Sequence, residues 1–230
     1  MNWFQSFLVS SIGQKIIMSL TGIFLMLFLV VHLVGNLQLL HDDGGQAFNL
    51  YTYFMTHNPL IKTISYLLYI TVLIHAIQGI LITRKNQASA GGMNRYVKKS
   101  TYTTTLANRY MAFWGILIFI FLVIHLKDFW YVMKFTSDLE MVTYPGETHE
   151  VKNLYQRVAV EFKELWVVIL YVACMVALAF HLAHGFWSAF QTIGASHPKY
   201  LRLLKTTGKI FAFLIPLGFA LIPVLFYLFK

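Results

Sequence analysis

Charge and cysteine are both scarce in this chain. Only 12% of its 230 residues are Asp, Glu, Lys or Arg, against 58% that are hydrophobic. A soluble domain needs far more charge than this to cover its surface. The single cysteine, Cys174, sits inside an apolar run and reads as a small buried hydrophobe. One thiol excludes an internal disulfide and a cysteine-ligated iron–sulfur cluster, and the lack of a C-x-x-C-H segment excludes covalent haem attachment. A glycine-rich dinucleotide fingerprint and a P-loop are also missing, so flavin or iron–sulfur chemistry is expected on another chain. The N-terminus lacks the basic segment, short apolar stretch and small-residue cleavage site of a removable signal peptide. The first apolar run is therefore expected to remain in the mature protein.

What is present is hydrophobic length. Five stretches can cross about 30 Å of hydrocarbon at about 1.5 Å per residue. They run approximately over 16–40, 60–84, 107–133, 164–192 and 208–229. Turn signals separate them: Asp42-Asp43-Gly44-Gly45, Asn58-Pro59, Gly91-Gly92, Tyr144-Pro145-Gly146 and Ser196-His197-Pro198. Trp3, Tyr66, Trp130, Tyr155 and Trp166 lie where apolar runs meet polar ones, as interfacial aromatics do. No internal repeat is visible. The expected fold is all-α, one integral membrane domain over residues 1–230 forming a bundle of five transmembrane helices. Pro216 and Pro223 are expected to bend the fifth helix without ending it.

Acid is absent from two of the connections. Arg84, Lys85, Arg95, Lys98, Lys99 and Arg109 lie in the second connection, and Lys199, Arg202, Lys205 and Lys209 in the fourth. The opposite side holds Asp42, Asp43, Asp138, Glu140, Glu147, Glu150, Glu161 and Glu164 among several lysines and Arg157. The positive-inside rule then predicts a cytoplasmic N-terminus and cytoplasmic basic loops. Such a face either reflects topology alone or docks an acidic soluble partner. Nucleic acid is not expected, because these charges flank spans instead of forming a separate basic module.

Four of the nine histidines lie deep in predicted spans: His32, His75, His125 and His181, one on each of the first four helices. Ionisable groups in a bilayer are costly, and each is a functional candidate. Each lies about two-thirds of the way along its own helix. Alternating helix direction then puts His32 and His125 at one level and His75 and His181 at another, on the order of 11–14 Å apart. Two histidines from different helices at one level can ligate one haem iron from both faces. Two such pairs would stack two b-type haems across the membrane. A tetrahedral zinc site needs all its ligands within about 2 Å of one ion, which two levels forbid. Gly79 follows His75 at i+4, Gly185 follows His181 at i+4, and Gly35 follows His32 at i+3. On a helix these positions share a face, so the glycines either clear space for a flat macrocycle or serve close helix packing. His125 has Asp128 at i+3 instead. His184, at i+3 from His181, is the alternative ligand or a partner for a haem propionate. His41, His57, His149 and His197 fall in polar connections and read as surface residues.

The segment Phe180-His181-Leu182-Ala183-His184-Gly185-Phe186-Trp187-Ser188-Ala189-Phe190-Gln191-Thr192 carries a resemblance, together with His32-Leu33-Val34-Gly35-Asn36-Leu37 and His75-Ala76-Ile77-Gln78-Gly79. Over nearly its whole length the chain resembles the diheme cytochrome b anchor of succinate:quinone oxidoreductases, of the single five-helix type. The resemblance implies a proximal haem on His75 and His181, nearer the cytoplasm, and a distal haem on His32 and His125. It places the ligand at His181 rather than His184. It also implies a flavoprotein with covalent FAD, an iron–sulfur protein on the basic face, and a quinone, expected to be menaquinone, near the outer side of a bacterial cytoplasmic membrane. Some family members carry a glutamate two residues before the helix-four ligand, where this chain has Ala179; this favours succinate oxidation as the working direction. Some carry another near the start of helix two, where this chain reads Tyr53-Phe54-Met55, which leaves the quinone residues open. Two alternatives stand beside this reading. One is a b-type anchor of a hydrogenase or formate dehydrogenase. The other is a haem-free transporter or proton-relay bundle, which the lack of any acid at mid-span counts against.

Overall fold

The computed structural model describes residues 2–89, 110–195 and 197–230. Arg95, Lys98, Lys99, Arg109, the Gly91-Gly92 turn and Ser196 lie outside those residues. A short helix, α1 (Trp3–Val9), precedes α2 (Ser11–Leu37), whose last turn tightens into a 3-10 helix over Gln38–Leu40. Then come α3 (Gln46–His57), α4 (Pro59–Ser89) and α5 (Met111–His125). A π-helical turn, Leu126–Tyr131, joins α5 to α6 (Val132–Phe135). A two-stranded antiparallel hairpin of β1 (Met141–Val142) and β2 (Val151–Lys152) leads to α7 (Leu154–Glu161), α8 (Leu165–Thr192) and α9 (Pro198–Phe229). Among the described residues five helical segments are long and apolar enough to span a membrane: Ser11–Leu40, Pro59–Ala88, Met111–Phe135, Leu165–Thr192 and Pro198–Phe229.

The spans show apolar side chains outward as well as inward. Leu27, Ile70 and Phe213 are more than half exposed, which suits a surface whose solvent is lipid. Inside, α8 is the central helix, packed against α2, α5 and α9. Two apolar clusters follow each other along it. Val167, Val168 and Tyr171 join Leu39, Phe48, Phe162 and Phe226 near the α3 end. Met175, Leu182 and Phe186 join Met26 and Ala212 toward the α1 end.

Three features differ from the sequence-based expectation. The fifth helix starts at Pro198 instead of 208. Proline is well placed in a first helical turn, where its missing N–H costs nothing, and the His197 side chain caps the end by accepting from Lys199 N at 3.2 Å. Lys199, Arg202, Lys205 and Lys209 therefore ride on the first turns of α9 and do not form a loop. At 32 residues α9 is about 48 Å long, more than the hydrocarbon needs. It runs unbroken through Pro216 and Pro223, both buried. The third span departs from α geometry directly after His125.

The third difference is a folded cap where polar loops were expected. α3, the hairpin and α7 close the end of the bundle at which α2, α5 and α9 finish. Asn49, 1% exposed, donates to Tyr144 Oη at 2.7 Å and Asn153 Oδ1 at 3.0 Å, and accepts from Tyr155 N at 3.0 Å. One amide thereby joins all three cap elements. At the opposite end, Lys85 Nζ donates to Val9 O at 3.3 Å and Gln14 Oε1 at 2.8 Å, tying the end of α4 to α1 and α2.

Candidate functional site: two histidine pairs inside the bundle

His32 on α2 and His125 on α5 bring their ring centroids to 5.9 Å, with planes at 84°. His75 on α4 and His181 on α8 stand 6.2 Å apart, with planes at 64°. Imidazoles on opposite sides of one metal ion, each bonded at about 2 Å, have centroids about 6 Å apart. Both pairs match that span. Among the described residues no group of three or more His, Cys, Asp or Glu gathers to hold a metal ion, so the histidines come two by two.

Helices serve as rulers between the pairs. On α2, Gly22 faces His75 and His32 lies ten residues further on. On α5, Gly115 faces His181 and His125 again lies ten residues further on. On α8, the Tyr171 hydroxyl is 3.5 Å from His125 Nδ1, and His181 follows ten residues later. Each ruler gives about 15 Å between levels. This is on the order of the expected 11–14 Å.

Aromatic rings wall the pair nearer the cap. Phe28 stacks on His32 at 5.0 Å and Phe219 lies at 5.5 Å. Phe121 and Phe129 flank His125 at 5.7 and 5.4 Å. Asn36 Nδ2 donates to the His32 carbonyl at 2.7 Å and lies 3.3 Å from its Nδ1. The π-helical turn begins at the residue after His125, a place where such turns often accompany function. In the other pair, His75 Nδ1 lies 3.0 Å from Thr21 Oγ1.

Two further glycines stand beside the rings. A Cβ added at Gly22 would lie 3.5 Å from His75 Cε1, and one at Gly115 would lie 3.6 Å from His181 Cε1. These glycines sit on neighbouring helices. Gly35 instead seats α3 on α2, because a Cβ there would come within 2.5 Å of the Tyr51 ring. Gly79 faces the Met18 methyl at 3.4 Å and Gly185 faces that of Met111 at 3.9 Å, both ordinary packing distances. His181 is the ring paired with His75, and His184 lies one turn further toward the α1 end.

The donor set suits a haem. Each pair offers two imidazoles from different helices in apolar surroundings. Four buried side-chain polar atoms of the described residues have no partner, and three of them belong to the His75–His181 level. They are His181 Nδ1, Gln78 Oε1 one turn from His75, and Trp114 Nε1 beside Gly115. Unsatisfied polar atoms at membrane depth cost several kcal/mol each, roughly, and those of Gln78 and Trp114 fit a bound group with polar atoms at its rim.

In the cap, His57 is exposed and His149 half-buried, as surface residues of the connections are, and both meet Tyr53. Tyr53 stacks on His57 at 4.0 Å and meets His149 at 4.2 Å. Beside it a cavity of about 250 Å³ is lined by Asn49, Tyr53, His57, Lys134, Glu150 and Lys152. Loop histidines in separate connections gave no linear signal of this.

Comparison with protein-family models, curated proteins and solved structures found no match for this chain. The fold and site themselves define a class: a five-span helical membrane bundle with two cross-bundle histidine pairs at different depths.

Proposed function

We propose that the chain is the membrane anchor and electron-transfer subunit of a succinate:quinone oxidoreductase, holding two b-type haems. The observation that carries this is the two facing imidazole pairs, at 5.9 and 6.2 Å, about 15 Å apart along the bundle. Haem bound there supplies one-electron redox chemistry. The chain supplies axial nitrogens, apolar walls that keep water out, and a fixed separation between the two sites. His75 and His181 serve the haem nearer the α1 end; His32 and His125 serve the one nearer the cap.

The α1 end receives the iron–sulfur subunit, which is joined to a flavoprotein with FAD. Lys199, Arg202, Lys205 and Lys209 are exposed on the first turns of α9, and Arg84 and Lys85 close α4 at the same end. That concentration of positive charge favours an acidic docking face and, by the positive-inside rule, a cytoplasmic N-terminus in a bacterial cytoplasmic membrane. At the cap end, the 250 Å³ cavity beside Tyr53 offers menaquinone a place at the membrane interface. Ala179 puts a methyl where a proton-carrying carboxylate would stand, which favours succinate oxidation with quinone as acceptor.

Purification of the chain with its partners from native membranes tests this. A flavoprotein and an iron–sulfur protein should accompany it. His75→Ala in that complex should abolish succinate-dependent quinone reduction and leave succinate oxidation by an artificial acceptor intact. Purification without those partners, or unimpaired quinone reduction in His75→Ala, overturns the proposal.

A further inference from the structure

We infer that Thr21 is a positioning residue for the His75–His181 site, fixing the tautomer of His75 and holding the potential of that site's haem down; this rests on the haem reading above. Thr21 Oγ1 lies 2.8 Å from Ile17 O, four residues back on α2, and 3.0 Å from His75 Nδ1 on α4. A hydroxyl has one hydrogen and two lone pairs. The hydroxyl also lies 3.0 Å from Met18 O; carbonyls can only accept, so we place the Thr21 hydrogen on these two backbone oxygens of its own helix. With the hydrogen so placed, Thr21 shows His75 a lone pair at 3.0 Å, and Nδ1 carries the hydrogen of the neutral ring. His75 is thereby left with its lone pair on Nε2, the nitrogen free for a metal.

Among the described residues the other three imidazoles lack such a bond. His181 Nδ1 has no partner. His125 Nδ1 is 3.5 Å from the Tyr171 hydroxyl, at the limit of hydrogen bonding. His32 has Asn36 Nδ2, a donor atom, at 3.3 Å from Nδ1 and 3.4 Å from Nε2, so neither nitrogen is singled out. Among the described residues only His75 of the four is set by a short bond from another helix. An imidazole that donates from Nδ1 is more basic at Nε2 and a stronger ligand, which stabilises the ferric state and lowers the reduction potential.

The test is Thr21→Val in the purified holo-complex. Valine keeps the branched shape and removes the acceptor. Optical redox titration should show one haem moved to higher potential and the other unmoved. Retention of that haem should weaken about 10- to 100-fold, the usual effect of losing an outer partner of a metal ligand. Thr21→Ser should restore both values; Thr21→Ala should repeat the valine result if valine disturbs folding. Equal shifts in both haems, or none in either variant, overturn the role of Thr21. Absence of haem from the unsubstituted complex instead removes the function proposed above.

Discussion

Enlarging Gly22 by steps tests the haem-site geometry, because the free space beside His75 is narrow and well defined. A Cβ at this position stands 3.5 Å from His75 Cε1 and 4.0 Å from Nδ1. Those are ordinary contacts, so Gly22→Ala should keep both haems. A γ carbon reaches about 1.5 Å further and, aimed at the ring, would stop about 2 Å from it, where about 3.5–4.0 Å is comfortable. Gly22→Leu must therefore push the imidazole away from His181 or spread α2 from α4. Overpacking of this kind costs about 1–3 kcal/mol. If that falls on ligation, the haem is held about 5- to 150-fold less tightly. The assay is haem content by pyridine haemochrome together with redox difference spectra of purified variants. Alanine should give two haems, valine partial loss and leucine one, the survivor being the haem of His32 and His125. A full haem complement in Gly22→Leu, or loss of haem already in Gly22→Ala, would refute the reasoning. Gly115, with its 3.6 Å approach to His181, should repeat the series.

Other substitutions separate site from scaffold. His181→Ala should remove one haem and His184→Ala should leave both, read from the same spectra; the reverse pattern would move the ligand to His184. Gly35→Ala drives a methyl into the Tyr51 ring and should cost about 1–3 kcal/mol, seen as a lower thermal midpoint in detergent with a smaller loss in a Tyr51→Leu background. Asn49→Ala should loosen the cap by about 1–3 kcal/mol for each partner left unsatisfied, and limited proteolysis should then cut between 136 and 164 faster.

Hydrophobic length made the five spans legible, and alternating helix direction made the pairing of the four rings legible from depth alone. Boundaries were less so. The start of α9 is written in lysine, arginine and leucine, good helix formers that a search for apolar runs passes over. The cap was hidden because its contacts join residues far apart in sequence, such as Asn49 with Tyr144 and Asn153. Gly22 and Gly115, which face His75 and His181, lie on the helices that bear His32 and His125. A linear trace of them does exist: Gly22 precedes His32 by ten residues and Gly115 precedes His125 by ten. That shared interval sets one ring's neighbour and the other ring's ligand about 15 Å apart on a single helix. The π-helical turn after His125 has no comparable trace, since Leu126-Lys127-Asp128-Phe129 contains neither proline nor glycine to announce it.

Near-infrared magnetic circular dichroism of the oxidised, purified chain, with iron and haem counted against protein, bears most directly on the central claim. Two low-spin haems per chain, both with the charge-transfer signature of bis-imidazole ligation, are the predicted result. One haem, none, or a signature of any other axial pair would contradict the account.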